Sequence, residues 1–194
     1  NPNAKIIIML RNPIERAFSH YLMDYRLGLI NDSFENIIAK KSNHKNAHLF
    51  YKQYIEVSKY AKQIQRYLDF FEKENILFID YDDFKKNVSE TVNRVYDLLN
   101  ISAEFAADIS RKYNTFTMPK NKVIRCIYSF VFLRKLLTFL FPIYLVKNIR
   151  GFLFKADKKP ELLKETRSQL KKIFNDDIGQ LEKVLGKDYS KWIK

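Results

Sequence analysis

The hydrophobic positions along the chain change period several times, and each change marks a predicted element. Lys5-Ile-Ile-Ile-Met-Leu10 is a continuous apolar run rich in β-branched residues, which predicts a strand buried on both faces of a parallel sheet. A helix is predicted directly after it: Asn12 suits the N-cap, Pro13 the first helical position, and Glu15 falls three residues past the cap. Ile14, Ala17, Phe18, Tyr21, Leu22 and Tyr25 recur on one face of that helix, and Gly28 is its stop. From Tyr51 to Glu74, the positions Tyr54, Val57, Ala61, Ile64, Tyr67, Leu68 and Phe71 predict one long amphipathic helix, and Asn75 to Asp80 a second buried strand. Asn87 to Leu99 predicts a further helix, with Glu90 at capping-box spacing from Asn87. Pro160 opens a last one that places Leu163, Leu170, Ile173, Phe174, Ile178, Leu181 and Leu185 on one face and closes at Gly186. Strands alternating with helices give an α/β domain, a parallel sheet flanked by helices, and no internal repeat interrupts it.

Composition sharpens this picture. A chain of 194 residues with 46% hydrophobic and 15% aromatic residues, and only 4 Gly and 5 Pro, folds as one domain without collagen-like or disordered bias. Cys126, the single cysteine, excludes an internal disulfide and any C-x-x-C pattern, which suggests a reducing compartment. No targeting segment is visible, since the apolar run from Ile6 to Leu10 is too short for one; the expected location is cytoplasmic, with peripheral membrane contact open. The segment Cys126 to Val146 is strongly apolar, but Arg134 and Lys135 break it into runs well short of the roughly 18 residues a spanning helix needs.

Charge is the most uneven property. Of a formal net +13, residues 119–160 carry most, with ten Lys or Arg against one acid, Asp157. Such a field attracts polyanions: nucleotides, sulfated or phosphorylated substrates, nucleic acid or anionic lipid. Nucleic acid is disfavoured as a partner because no recognised nucleic-acid motif accompanies the charge.

The candidate chemistry sits where the first strand ends. In open α/β sheets ligands bind beyond the carboxyl ends of the strands, where loop and helix N-terminus present N–H groups to an anion. Arg11 lies at that point and can hold a phosphate bidentately, while Ser19, on the second helical turn and off the apolar face, can add a hydroxyl.

The string Arg11-Asn-Pro-Ile-Glu-Arg-Ala-Phe-Ser19-His-Tyr resembles the 3′-phosphate-binding motif of sulfotransferases that use 3′-phosphoadenosine 5′-phosphosulfate (PAPS). The resemblance assigns Arg11 and Ser19 to the 3′-phosphate, and matches Arg16 as well, with a structural role equally open to it. The stretch from Tyr51 to Phe84 resembles the long helix, strand and acidic turn of bacterial and Golgi carbohydrate sulfotransferases. Asn114-Thr-Phe-Thr-Met-Pro-Lys-Asn121 resembles their loop over the nucleotide, which implies cofactor roles for Lys120 and Asn121, with Lys122 and Arg125 as substitutes, and the ending Leu181 to Trp192 resembles their closing helix and Trp.

By resemblance, then, the fold is the P-loop nucleotide-kinase-like sulfotransferase fold, N-terminally incomplete. Residues 1–118 form its nucleotide-binding α/β part, 119–159 a basic loop and apolar helices, and 160–194 a C-terminal helix and tail. The implied function is transfer of a sulfuryl group from PAPS, the co-substrate, to a hydroxyl or amine of a carbohydrate or glycolipid, with no metal. The family's 5′-phosphosulfate loop, with its Lys-Ser-Gly-Thr-like string, and its catalytic Glu or His have no counterpart in the 194 residues and are expected upstream of Asn1. The alternative is a non-catalytic nucleotide-anchoring remnant, or a basic module for membrane or polyanion binding. His20, His44 and His48 lack metal-ligand spacing and read as structural, with a substrate-side role open to His44 or His48; Asp82 and Asp83 read as a turn or an ion pair.

Overall fold

The computed structural model describes Asn1 and residues 3–102, 116–156 and 159–194. In chain order the first elements are β1 (Ile6–Leu10), α1 (Pro13–Arg26), α2 (Phe34–Ile38), α3 (Ala47–Tyr54), α4 (Ala61–Phe70), β2 (Ile76–Asp80), α5 (Tyr81–Lys86) and α6 (Val88–Leu99). They are followed by β3 (Thr117–Pro119), α7 (Lys122–Ser129), α8 (Val131–Leu140), α9 (Ile143–Leu153), β4 (Phe154–Ala156) and α10 (Lys164–Leu185). The chain divides into two compact units, one of Asn1–Arg16, the described residues of Ile55–Lys112, and Arg167–Lys194, the other of Ala17–Tyr54 and the described residues of Tyr113–Thr166.

In the first unit β1 pairs with β2 in parallel, in register from Ile6↔Ile76 to Leu10↔Asp80, so the two strands end level with each other. The expectation of burial on both faces is corrected: Ile7 and Met9 are 44% and 47% exposed, while Leu10 on the opposite face is buried. Alternation along a strand sends these residues to opposite sides, and the Ile7–Met9 side is the one left partly open to solvent. The core of this unit is completed by α10, whose Leu170, Phe174, Ile178 and Leu181 fall at four-, four- and three-residue spacing and are all fully buried. That helix begins at Lys164 rather than at Pro160 and ends before Gly186, which takes a positive φ of 65° as the stop signal requires.

The predicted helix from Tyr51 to Glu74 is also corrected: it is α3, a 3₁₀ turn at Glu56–Ser58, α4, and a second 3₁₀ turn at Lys73–Asn75. The cause of the break is tertiary. Asp177 of α10 accepts hydrogen bonds from the backbone N–H of Tyr60 (2.7 Å) and Ala61 (3.2 Å), capping a new helix start that periodicity in the segment itself does not announce. Burial raises the Asp177 carboxyl above its ordinary value, and these two donors pull against that rise.

In the second unit α1 continues with Ala17, Phe18, Tyr21 and Leu22 buried, as its spacing predicts. Phe18, Tyr21, Phe34 and Tyr54 form an aromatic cluster, with the Tyr21 and Phe34 ring centroids 5.2 Å apart. Gly28 ends the α1 segment with φ 70°, and a Cβ there would lie 2.5 Å from the Cβ of Ser129 at the end of α7, so only glycine permits this approach. β3 and β4 pair antiparallel, Thr117 with Ala156 and Pro119 with Phe154, an element that no sequence pattern predicted.

Candidate functional site

Arg11 follows β1 immediately, at the carboxyl edge of the parallel pair. Because Leu10 pairs with Asp80, the next residues, Arg11 and Tyr81, emerge side by side, and the Arg11 guanidinium lies 5.1 Å from the centroid of the Tyr81 ring. The backbone of Arg11 is fixed as well, since the Tyr60 hydroxyl donates to its carbonyl at 3.0 Å. Burial pushes the Tyr60 phenol up to about 12, so this donor keeps its proton across the physiological range. Among the described residues no carboxylate forms an ion pair with Arg11. A half-buried guanidinium stacked on an aromatic ring, in no close ion pair among the described residues though within the field of Asp82, has the chemistry to take an external anion.

The neighbouring groups at this edge are engaged elsewhere. Asn12 caps α1, its side-chain oxygen accepting from the N–H of Ile14 (2.9 Å), and its amide donates to the Trp192 carbonyl at 3.2 Å, fastening the tail to the site loop. Arg16 donates to the buried Ser58 hydroxyl at 2.8 Å, a packing role, and Glu15 pairs with Arg167 at 2.7 Å. Lys187 forms an ion pair with buried Asp80 and lies 3.6 Å from Asp83. Asp82 pairs with Lys85 at 2.8 Å, an interaction that lowers its carboxyl, so Asp82 and Asp83 are ion-pair residues as expected.

The remaining candidates belong to the second unit. Ser19 is half-buried on the second turn of α1, and no hydrogen bond engages its hydroxyl among the described residues. Lys120 is exposed just past β3, its backbone N–H donates to Leu153, and its amine sits 4.4 Å from the Phe152 ring centroid. Asn121 is the N-cap of α7, its oxygen accepting from the N–H of Ile124 at 2.8 Å, which leaves its amide donors for a ligand. Arg125 stacks on Tyr25 at 4.1 Å with one terminal nitrogen buried and unpaired. Asn114 and Thr115 of the same predicted loop lie outside the described residues.

Tyr60 and Tyr81, the groups that position Arg11, were not anticipated; the signal was the tyrosine following the second strand, which becomes informative once the register is known. Also unanticipated is a buried polar cluster in the second unit, where Tyr54 donates to Asp24 at 2.8 Å and His20 lies 4.0 Å from the same carboxylate. A recess of about 380 Å³ on α4, lined by Gln63, Arg66, Tyr67, Phe70 and Phe71, contains no carboxylate or imidazole and supplies no acid or base. Among the described residues no group of His, Cys, Asp or Glu could hold a metal ion, and no helix is long and apolar enough to cross a membrane.

Comparison with known proteins decides what this edge belongs to. The family model described as "Sulfotransferase domain" matches residues 1–135, well over half of the chain. The chain belongs to the sulfotransferase domain family. Carbohydrate sulfotransferase 15 from Homo sapiens is 28% identical over 116 residues, which is 52% of this chain and 21% of that protein. Sulfotransferase 2A6 from Rattus norvegicus is 28% identical over 120 residues, 60% of this chain and 39% of that protein. The match therefore spans a fifth to two fifths of the length of these curated relatives. The crystal structure of a sulfotransferase from Alicyclobacillus acidocaldarius aligns with all of the chain and with 59% of its own length, at a TM-score of 0.66 and 26% identity. The α/β sulfotransferase fold expected from the sequence is thereby established.

Proposed function

We propose that this domain anchors PAPS by its 3′-phosphate, and that the protein moves a sulfuryl group from PAPS to a hydroxyl or amine of a carbohydrate or glycolipid. The observation that carries the reading is Arg11: a positioned guanidinium at the carboxyl edge of a parallel pair, in no close ion pair among the described residues. In this reading the motif resemblance gives Arg11 and Ser19 the 3′-phosphate, Arg11 by a bidentate guanidinium and Ser19 by its hydroxyl, and gives Lys120 and Asn121 nucleotide contacts. In the transfer the bond from sulfur to the 5′-phosphate oxygen breaks, a bond from sulfur to the acceptor oxygen or nitrogen forms, and the acceptor proton passes to a base. No residue of the chain is assigned as that base.

The names of the matched relatives, carbohydrate sulfotransferases among them, favour a glycan acceptor. Peripheral membrane contact belongs to the same reading, since a lipid-linked glycan presents its acceptor at a bilayer surface. The test is transfer from labelled PAPS to glycan and glycolipid acceptors, with binding of 3′-phosphoadenosine 5′-phosphate measured in parallel. Transfer to any of them supports the reading; nucleotide binding without transfer supports the non-catalytic anchoring module instead, and neither signal overturns both.

A further inference from the structure

Amphipathic helices of a folded domain turn their apolar stripe inward, and α8 and α9 do the reverse. On α8 the residues Phe132, Leu136 and Phe139 stand at i, i+4 and i+7, and on α9 Leu145, Ile149 and Phe152 repeat the same spacing. All six are exposed, Phe132 at 78%, Phe139 at 86% and Phe152 at 73%. The two helices contact each other within the second unit. Along the stretch that carries them the charge has one sign: residues 116–156 contain eight Lys or Arg and no Asp or Glu.

We propose that the α8–α9 face docks on an anionic lipid bilayer. Aromatic and aliphatic side chains enter the headgroup–acyl boundary, and the positive charge of the same stretch of sequence favours anionic headgroups, the combination that interfacial helices use. With ten and eleven residues, α8 and α9 reach only about 15–17 Å, half the hydrocarbon thickness, so they lie along the surface and do not cross it. The charge argues against other occupants. A second copy would bring the same acid-free, positively charged segment, and single-stranded nucleic acid uses aromatic platforms in a cationic groove, where the Leu and Ile of these stripes offer no stacking. The inference deepens the peripheral membrane contact of the proposed function, and its test does not require the nucleotide site.

The test is co-sedimentation of the protein with phosphatidylcholine vesicles, with and without phosphatidylserine, at low and high salt, for the wild type and a Phe132→Ser, Phe139→Ser double variant. The account predicts binding to phosphatidylserine vesicles at least about tenfold stronger than to phosphatidylcholine alone, weakened by salt and lowered about tenfold or more in the variant. Both substitutions are at exposed positions, and the wild-type lipid and salt dependence is read without any variant. Absence of vesicle binding overturns the proposal, as does binding that ignores phosphatidylserine or the double substitution. So does a wild-type dimer in sedimentation equilibrium that the variant dissociates, since a second copy would then own the face.

Discussion

Asp24 sits buried on α1, receives a hydrogen bond from the buried Tyr54 hydroxyl, and has His20 one turn away. Burial raises its carboxyl above the ordinary 3.8, against the opposing pull of Tyr54 and His20. A raised folded-state value means that the folded protein favours the protonated acid. The contribution to stability is therefore complete below 3.8 and is lost as pH rises through the elevated folded value. Asn at this position stays neutral and still accepts the Tyr54 proton. Asp24→Asn is accordingly expected to remove this slope and to gain on the wild type as pH rises through that window, as measured by chemical denaturation over a pH series. A wild type that instead gains on Asp24→Asn as pH rises would show that the ionised carboxylate is the favoured form. Arg11 shows the opposite strategy at the same scale, a charge kept half-exposed beside Tyr81.

Two glycines separate backbone effects at the scale of elements. Gly28 combines a positive φ with a would-be Cβ contact of 2.5 Å to Ser129, so Gly28→Ala is expected to cost about 2–4 kcal/mol, from left-handed strain plus displacement of α7. Gly179 lies inside α10 with nothing within 4 Å of a Cβ, and Gly179→Ala is expected to stabilise by about 0.5–1 kcal/mol. Equal effects in urea denaturation would contradict this reading of both positions. The same elements show what the sequence could tell. β1, α1, β2 and α6 were legible because each carries its own periodicity and cap, and the Arg11–Ser19 spacing placed both residues on their elements. The division of the Tyr51–Glu74 segment was not legible, because the cap that starts α4 is Asp177, more than a hundred residues later. β3 and β4, three residues each and joined only through distant pairing, have too few positions to show a period. Exposure of Ile7 and Met9 was missed because an apolar strand advertises its demand for cover, and not whether the described chain supplies it.

The formal charge of +13 makes the whole molecule an attractor of anions, but a diffuse field does not distinguish a nucleotide from any other polyanion. Selectivity has to come from the edge where β1 and β2 end together, and specifically from a guanidinium whose geometry suits a phosphate monoester. That is the central claim, and isothermal titration tests it most directly, with 3′-phosphoadenosine 5′-phosphate compared with adenosine 5′-phosphate on the wild type and on Arg11→Ala. A charged hydrogen-bonded pair is worth about 1.5–3 kcal/mol, so the 3′-phosphate should strengthen wild-type binding by about 10- to 150-fold and the variant should lose that preference while staying folded. Equal affinity of the wild type for the two nucleotides, or a 3′-phosphate preference that survives in Arg11→Ala, would contradict it.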